Sequence, residues 1–496
     1  MYARGTTATS LYSNLLMSDN NGTYRSIIKA TSVFGGVQVI NMLCSLVRNK
    51  IIAVWLGAYG IGTIGLFNNA IEVVMSATGL GLRQSGVREL SAVSGDRGRL
   101  SRMIAVLRKL SVLAGLLGAV VFLGAAPLLS RFTFGSDNQI WGFVWLSCAL
   151  LFNALTLGEQ AVLQGTGRLK ALAKASVAGS LASLIVSVPV YYLFGIEGIV
   201  MSLILTSFFT LVFTLFYSRR RTNSVSQSVT VRGALMEGKP MMRLGIFMTV
   251  SGFVTTLLNY MLVAWLNHYS STSEVGYYQA GFTLVTRYVG LVFAAMATEY
   301  YPRLSAASSD NAGMSLQVSR QMETSLFLLL PIATAFLILQ EWIISLLYAP
   351  EFVVIKAYTG WAMSGVAFKA VSWSLGFVLL AKGNGRLFLI TEILSDTTSF
   401  GINIFLYLLF GFEGLGIGYM LNFILYGLLM WFLCRRYYGF RPERRFYTVF
   451  SVTLLVIFSV FYLVAVSTPL SYAAASLLCA CSVVYSVVSL KKRLMQ

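Results

Sequence analysis

Charge is what this sequence lacks most. Asp, Glu, Lys and Arg make up 11% of its 496 residues, and only 18 of those side chains are acidic. So few charges cannot clothe a water-soluble fold of this size, which excludes an ordinary soluble enzyme or binding domain. Histidine occurs once, at His268, and the five cysteines (Cys44, Cys148, Cys434, Cys479 and Cys481) lie in apolar segments without metal-ligand spacing to it. That excludes a His/Cys metal site and a disulfide scaffold. Long outer loops are also missing. The longest external connections fall near 127–140, 267–277 and 347–357 and are too short to fold as domains. A membrane oligosaccharide polymerase or ligase needs catalytic side chains on a sizeable outer loop, so that class is disfavoured and no enzyme is expected. The first 25 residues have no apolar core and read as a cytoplasmic tail, not a signal peptide.

What is present is apolar. Hydrophobic residues reach 57%, and mean hydropathy is +0.74. Apolar runs of about 20 residues recur from Ile27 to Leu490, each long enough to cross a ~30 Å hydrocarbon core. The period-two alternation of a membrane barrel is absent, which leaves helices. The expected fold is an all-α polytopic membrane protein with 14 transmembrane helices. Of the 37 basic residues, 31 fall on one side and only Arg131 and Lys356 on the other. The positive-inside rule then places both termini in the cytoplasm and requires an even number of spans. With net charge +19 carried by loops, the implied surface partner is membrane lipid and not nucleic acid.

The chain repeats itself. Phe194-Gly-Ile-Glu-Gly198 recurs as Phe410-Gly-Phe-Glu-Gly414, and Gly165-Thr-Gly-Arg-Leu169 as Gly383-Asn-Gly-Arg-Leu387. The offsets are 216 and 218 residues and contain six spans. Because six is even, the copies enter from the same side and form two pseudo-symmetric six-helix lobes about an axis along the membrane normal. The expected organisation is a tail at 1–26, an N-lobe at 27–217, a cytoplasmic linker at 218–242, a C-lobe at 243–434 and two extra C-terminal helices within 447–490. The Gly-x-Gly segments read as tight turns, because no strand precedes them and no Lys-Ser/Thr follows. Tyr277-Tyr278, Tyr300-Tyr301 and Tyr437-Tyr438 fall at span ends and read as interfacial belts first, sugar platforms second.

Four cations lie inside spans: Arg48, Lys50, Arg287 and Lys369. Each costs about 2.5–3.5 kcal/mol at bilayer depth on insertion scales, so each needs a reason. Three acids share that depth: Glu72, Glu392 and Asp396. Pairing with those acids is the bland explanation. Three acids against four cations still leave a positive surplus for an anionic cargo in a wet cavity. Arg48 and Lys50, two apart, are splayed ~200° on a regular helix, so one faces a cavity while the other snorkels, unless the helix unwinds. Glu392 and Asp396 share a helix face and, with Glu72, are candidates for Na⁺ or H⁺ coupling as well as for salt bridges. No cofactor is expected.

The first span's Val47-Arg-Asn-Lys-Ile-Ile-Ala-Val-Trp-Leu-Gly57, the Ala-Tyr-Gly-Ile-Gly62 that follows, and Gly165-Thr-Gly-Arg168 resemble the polysaccharide/O-antigen flippase family. That family belongs to the multidrug/oligosaccharidyl-lipid/polysaccharide exporter superfamily, and the resemblance covers essentially the whole chain. It implies a bacterial inner-membrane transporter, monomeric, that flips an undecaprenyl-diphosphate-linked oligosaccharide by alternating access, near other polysaccharide-assembly proteins. The related lipid II flippases, also with fourteen spans, are an alternative, as is a cation-coupled multidrug exporter, although a basic cavity suits a cationic drug poorly. In lipid II flippases the first-span arginine region is thought to bind the lipid pyrophosphate; Arg48 matches it, with Asn49 in place of the usual acid. Arginine offers a diphosphate a bidentate fork.

Overall fold

The computed structural model describes residues 36–220 and 229–494. The tail at 1–26 and residues 221–228 of the linker lie outside the described residues. Every regular element described is helical. In order they are α1 (Gly36–Trp55), α2 (Gly57–Thr78), α3 (Leu82–Ala92), α4 (Arg97–Gly124), α5 (Ala126–Phe134), α6 (Ile140–Gly165), α7 (Leu169–Phe194), α8 (Gly198–Arg219), α9 (Val231–Glu237) and α10 (Lys239–Tyr269). They continue as α11 (Thr272–Phe282), a π segment (Thr283–Tyr288), α12 (Val289–Ala306), α13 (Asn311–Leu347), a 3₁₀ turn (Pro350–Val354), α14 (Ile355–Ser364) and α15 (Val366–Ala381). The last four are α16 (Gly385–Phe410), α17 (Phe412–Tyr438), α18 (Arg444–Val466) and α19 (Pro469–Leu494).

Twelve helices among the described residues are long and apolar enough to cross a membrane, and α14 with α15 makes a thirteenth if that bent pair is one span. The sequence reading places fourteen. The difference is α2, 22 residues long, whose Asn68, Asn69 and Glu72 interrupt an otherwise apolar run. The span expected over 358–380 is bent by 45° where α14 meets α15. Gly365 sits at that break because a Cβ there would lie 2.8 Å from Met420 Cα on α17.

The internal repeat is written into the backbone. Gly195 and Gly411 end α7 and α16 with φ/ψ of 53/−131° and 60/−141°. Gly167 and Gly383 turn with φ of 70° and 73°. These positive φ values are strained for any residue with a Cβ, so both copies keep glycine. Asp96 and Asp310 cap α4 and α13 alike, each carboxylate accepting from two backbone N–H groups at 2.9–3.1 Å.

The chain forms two compact units. One holds the described residues up to Arg48, with Val74–Ala126 and Ile140–Thr249. In it α4, α6 and α8 meet around Glu159, a buried carboxylate bridged by Arg108 Nε and Nη2 at 2.7 and 3.0 Å and by the Ser218 hydroxyl at 2.5 Å. Glu159→Gln is expected to lower the stability of the detergent-solubilised protein by about 2 kcal/mol. That is less than a fully buried pair would lose, because Arg108 is partly exposed and screened; a thermal melt checks it. Glu237 of α9 takes Arg102 of α4 bidentately at 2.7 and 2.8 Å, and this hydrogen-bonded guanidinium holds the Glu237 carboxyl below the usual carboxylate range.

The second unit holds Asn49–Val73, Pro127–Gln139 and Val250–Gln496. Its core gathers around α13, which at 37 residues and ~1.5 Å per residue exceeds the hydrocarbon thickness. Glu323 of α13, fully buried, draws Arg493 of α19 and, at 3.7 Å, Arg445 of α18. The two extra helices are thus latched to this unit by a buried carboxylate as well as by apolar packing.

Candidate functional site

The first-span cations diverge as a regular helix requires. Asn41, two turns before Arg48 and so on the same face of α1, donates to Ser176 Oγ and accepts from Ser180 Oγ, both at 2.8 Å, on α7. Arg48 is half-buried, and its charge acts on the Tyr191 phenol of α7, whose oxygen accepts from Ser202 at 2.8 Å. Among the described residues no carboxylate forms an ion pair with Arg48. Asn49 beside it is half-buried on α1.

Lys50 does something else. Its ammonium donates to the carbonyl of Ser345 at 2.8 Å and to that of Tyr348, at the C-terminal end of α13. A cation there neutralises the negative end of the helix dipole and satisfies two orphan carbonyls. Lys50→Met is therefore expected to lower the melting temperature by an amount corresponding to about 1 kcal/mol, with transport retained at normal protein levels.

In the second unit a cavity of ≈ 200 Å³ opens among α10, α11, α14 to α17 and the π segment. Lys369 of α15 and Asp396 of α16 both line it. Lys369 Nζ donates to Tyr419 Oη at 3.0 Å and lies 5.0 Å from the Phe423 ring centre and 5.7 Å from that of Phe293. Asp396 accepts from the Thr255 hydroxyl at 2.5 Å, and Glu392, one turn earlier, accepts from Tyr426. Neither carboxylate forms an ion pair with Lys369 or Arg386 among the described residues. The salt-bridge explanation for these three groups therefore does not hold in this structure: the acids answer to hydroxyls and the cation to aromatic faces. Glu72 lies exposed on α2, one turn from Asn69, which accepts from Asn259 at 2.6 Å. The backbone of Arg287 belongs to the π segment, a form that often marks functional positions; its side chain lies outside the described residues.

Two tyrosines of this cavity, Tyr358 and Tyr419, escape the sequence reading, whereas the third, Tyr278, is read there as interfacial belt first and sugar platform second. Tyr278 was expected in an interfacial belt and is instead buried, as is Tyr300, whose hydroxyl donates to Ser374 O at 2.8 Å. Only Tyr301 and Tyr437 of those pairs stand well exposed. The signal that could have found Tyr278 is the helical spacing that turns it about 100° around α11 from its neighbour Tyr277.

Comparison with known proteins agrees with this architecture. The sequence is 21% identical over 408 residues to the lipid III flippase of Escherichia coli K12, covering 81% of this chain and 96% of that relative. The fold superposes on the lipid II flippase MurJ in an inward closed conformation with a TM-score of 0.68, at 14% identity, over 95% of this chain and all of that one. An inward-facing multidrug resistance MATE family transporter of the MOP superfamily superposes with a TM-score of 0.66 at 15% identity, over 82% of this chain and 95% of that one. The profile of the family described as polysaccharide biosynthesis protein matches residues 61–357. With more than half of its length matched and the helical fold of these transporters, the chain belongs to the polysaccharide biosynthesis protein family.

Proposed function

We propose that this protein is a transporter that flips an undecaprenyl-diphosphate-linked oligosaccharide, an O-antigen unit or a related surface-polysaccharide unit, from the cytoplasmic to the periplasmic leaflet. One observation carries the reading most: Arg48, half-buried in the first span, has no carboxylate partner among the described residues. A cation kept in that state is matched to an anionic cargo. Relatives named for flipping lipid II and lipid III support the same class of substrate.

In this reading the lobes 27–217 and 243–434, joined by the linker 218–242, alternate between inward and outward access. Arg48, with Asn49 beside it, meets the diphosphate, and Arg287 and Lys369 are further cargo contacts. Lys50 is left out, since its ammonium is engaged by α13. Glu392, Asp396 and Glu72 are the candidates for H⁺ or Na⁺ coupling. Both termini lie in the cytoplasm, and the transporter works as a monomer in the bacterial inner membrane beside the other polysaccharide-assembly proteins.

The test is genetic and biochemical together. Deleting the gene should remove a surface polysaccharide and leave its lipid-linked unit accumulating on the cytoplasmic leaflet. Lys369→Ala and Arg287→Ala, inserted at normal levels, should complement poorly. Full complementation by these variants and by Arg48→Ala would remove the cationic-cargo mechanism.

A further inference from the structure

We propose that the cavity in the second unit is a binding subsite for a single sugar ring of the cargo. The idea rests on the flippase reading only for the ring's membership of the cargo; the binding itself is measured separately. Tyr358 and Tyr278 are 1% and 5% exposed and line this cavity. Neither hydroxyl has a hydrogen-bond partner among the described residues, and both side chains line the cavity. The amide of Asn422, 9% exposed, is in the same condition. Buried polar groups are costly to leave unpaired, so three of them around one space are waiting for polar atoms that enter it.

Their arrangement is concerted. The Tyr278 and Tyr358 rings meet edge to face at 5.7 Å. Lys369 bonds to Tyr419 and is fixed by its aromatic cage, so its ammonium is presented as a positioned donor. Phenols and an amide both donate and accept, which matches the dual character of sugar hydroxyls, and the ring faces suit the apolar side of a pyranose. Asp396 in the same wall disfavours a phosphate, which the proposed function assigns to Arg48 instead. The volume of ≈ 200 Å³ falls below the range of about 300–1,000 Å³ of drug-sized pockets. It admits one ring and not a chain of them.

Saturation-transfer NMR on the full chain in lipid nanodiscs tests this, with the methyl glycosides of glucose, galactose and N-acetylglucosamine as probes. At least one probe should receive saturation. Tyr358→Phe or Asn422→Ala, checked for folding by gel filtration, should weaken that binding about tenfold, as expected when a site loses a hydrogen bond made to its ligand. Arg48→Ala should leave the sugar signal unchanged while export falls, so failure of the diphosphate mechanism and failure of the sugar subsite are told apart. Absence of transfer to all three probes overturns the proposal. So does a signal that persists undiminished in both variants.

Discussion

Arg48→Ala is expected to cut export of the lipid-linked unit by about a hundredfold while leaving insertion and folding intact. Two parallel charge-assisted bonds from a guanidinium to a diphosphate are together worth about 3 kcal/mol, and each 1.4 kcal/mol is a factor of ten. The folded protein loses little in exchange. Arg48 has no ion pair among the described residues, and an arginine at this depth costs about 2.5–3.5 kcal/mol to insert. Function and stability should therefore move in opposite directions, with less export and an equal or higher melting temperature. Arg48→Lys should recover only part of the loss, since a point charge lacks the planar fork. Surface polysaccharide and accumulated lipid-linked precursor, measured against the level of inserted protein, check the first half. A detergent melt checks the second. Loss of export accompanied by equal loss of folded protein would mean that Arg48 serves the fold and not the cargo.

Much of this architecture is legible in the sequence because the bilayer imposes a simple rule. Backbone groups must be satisfied within each span, so apolar length alone announces helices. The repeat is legible for a related reason. Gly195 and Gly411, and Gly167 and Gly383, hold backbone angles that only glycine adopts freely, so both copies keep the same letters. The splaying of Arg48 and Lys50 also follows from helix geometry, although the C-terminal end of α13 as the destination of Lys50 does not. What stays hidden depends on a distant partner. Arg108 with Glu159 and Glu323 with Arg493 are 51 and 170 residues apart, and no local pattern marks them. The bend at Gly365 comes from the approach of α17, and the burial of Tyr278 from α14. The candidate cavity is half legible: Lys369 and Asp396 stand out as charges in apolar runs, whereas its tyrosines look like any others at the end of a span.

Gly276→Leu is expected to destabilise the protein by about 3 kcal/mol or more, beyond the usual cost of overpacking a core. The segment Ala58–Gly62 of α2 crosses Thr272–Gly276 of α11 so closely that backbone meets backbone. A Cβ on Gly276 would lie 1.9 Å from the Ala58 carbonyl oxygen, and one on Gly62 1.9 Å from that of Thr272. Both segments place small residues four apart, the pattern that lets helices touch where lipid supplies no hydrophobic drive. Neither obstacle is a side chain that can rotate away, so the helices must part. Parting them also strains the Ala58 N–H, which donates to Glu351 at 2.8 Å. Gly65→Ala provides the contrast: its Cβ would meet the Gln279 side chain at 2.9 Å, a flexible group that can give way, so the change should be mild. A melt of the purified variants, or the fraction folded in the membrane, ranks the three proteins. Because α11 carries Tyr278 two residues beyond the crossing, even Gly276→Ala, if it folds, should move that phenol and weaken monosaccharide binding. The same small-residue contact that packs α2 against α11 therefore sets the position of a wall of the cavity. An α11 shifted outward with sugar binding unchanged would separate the two.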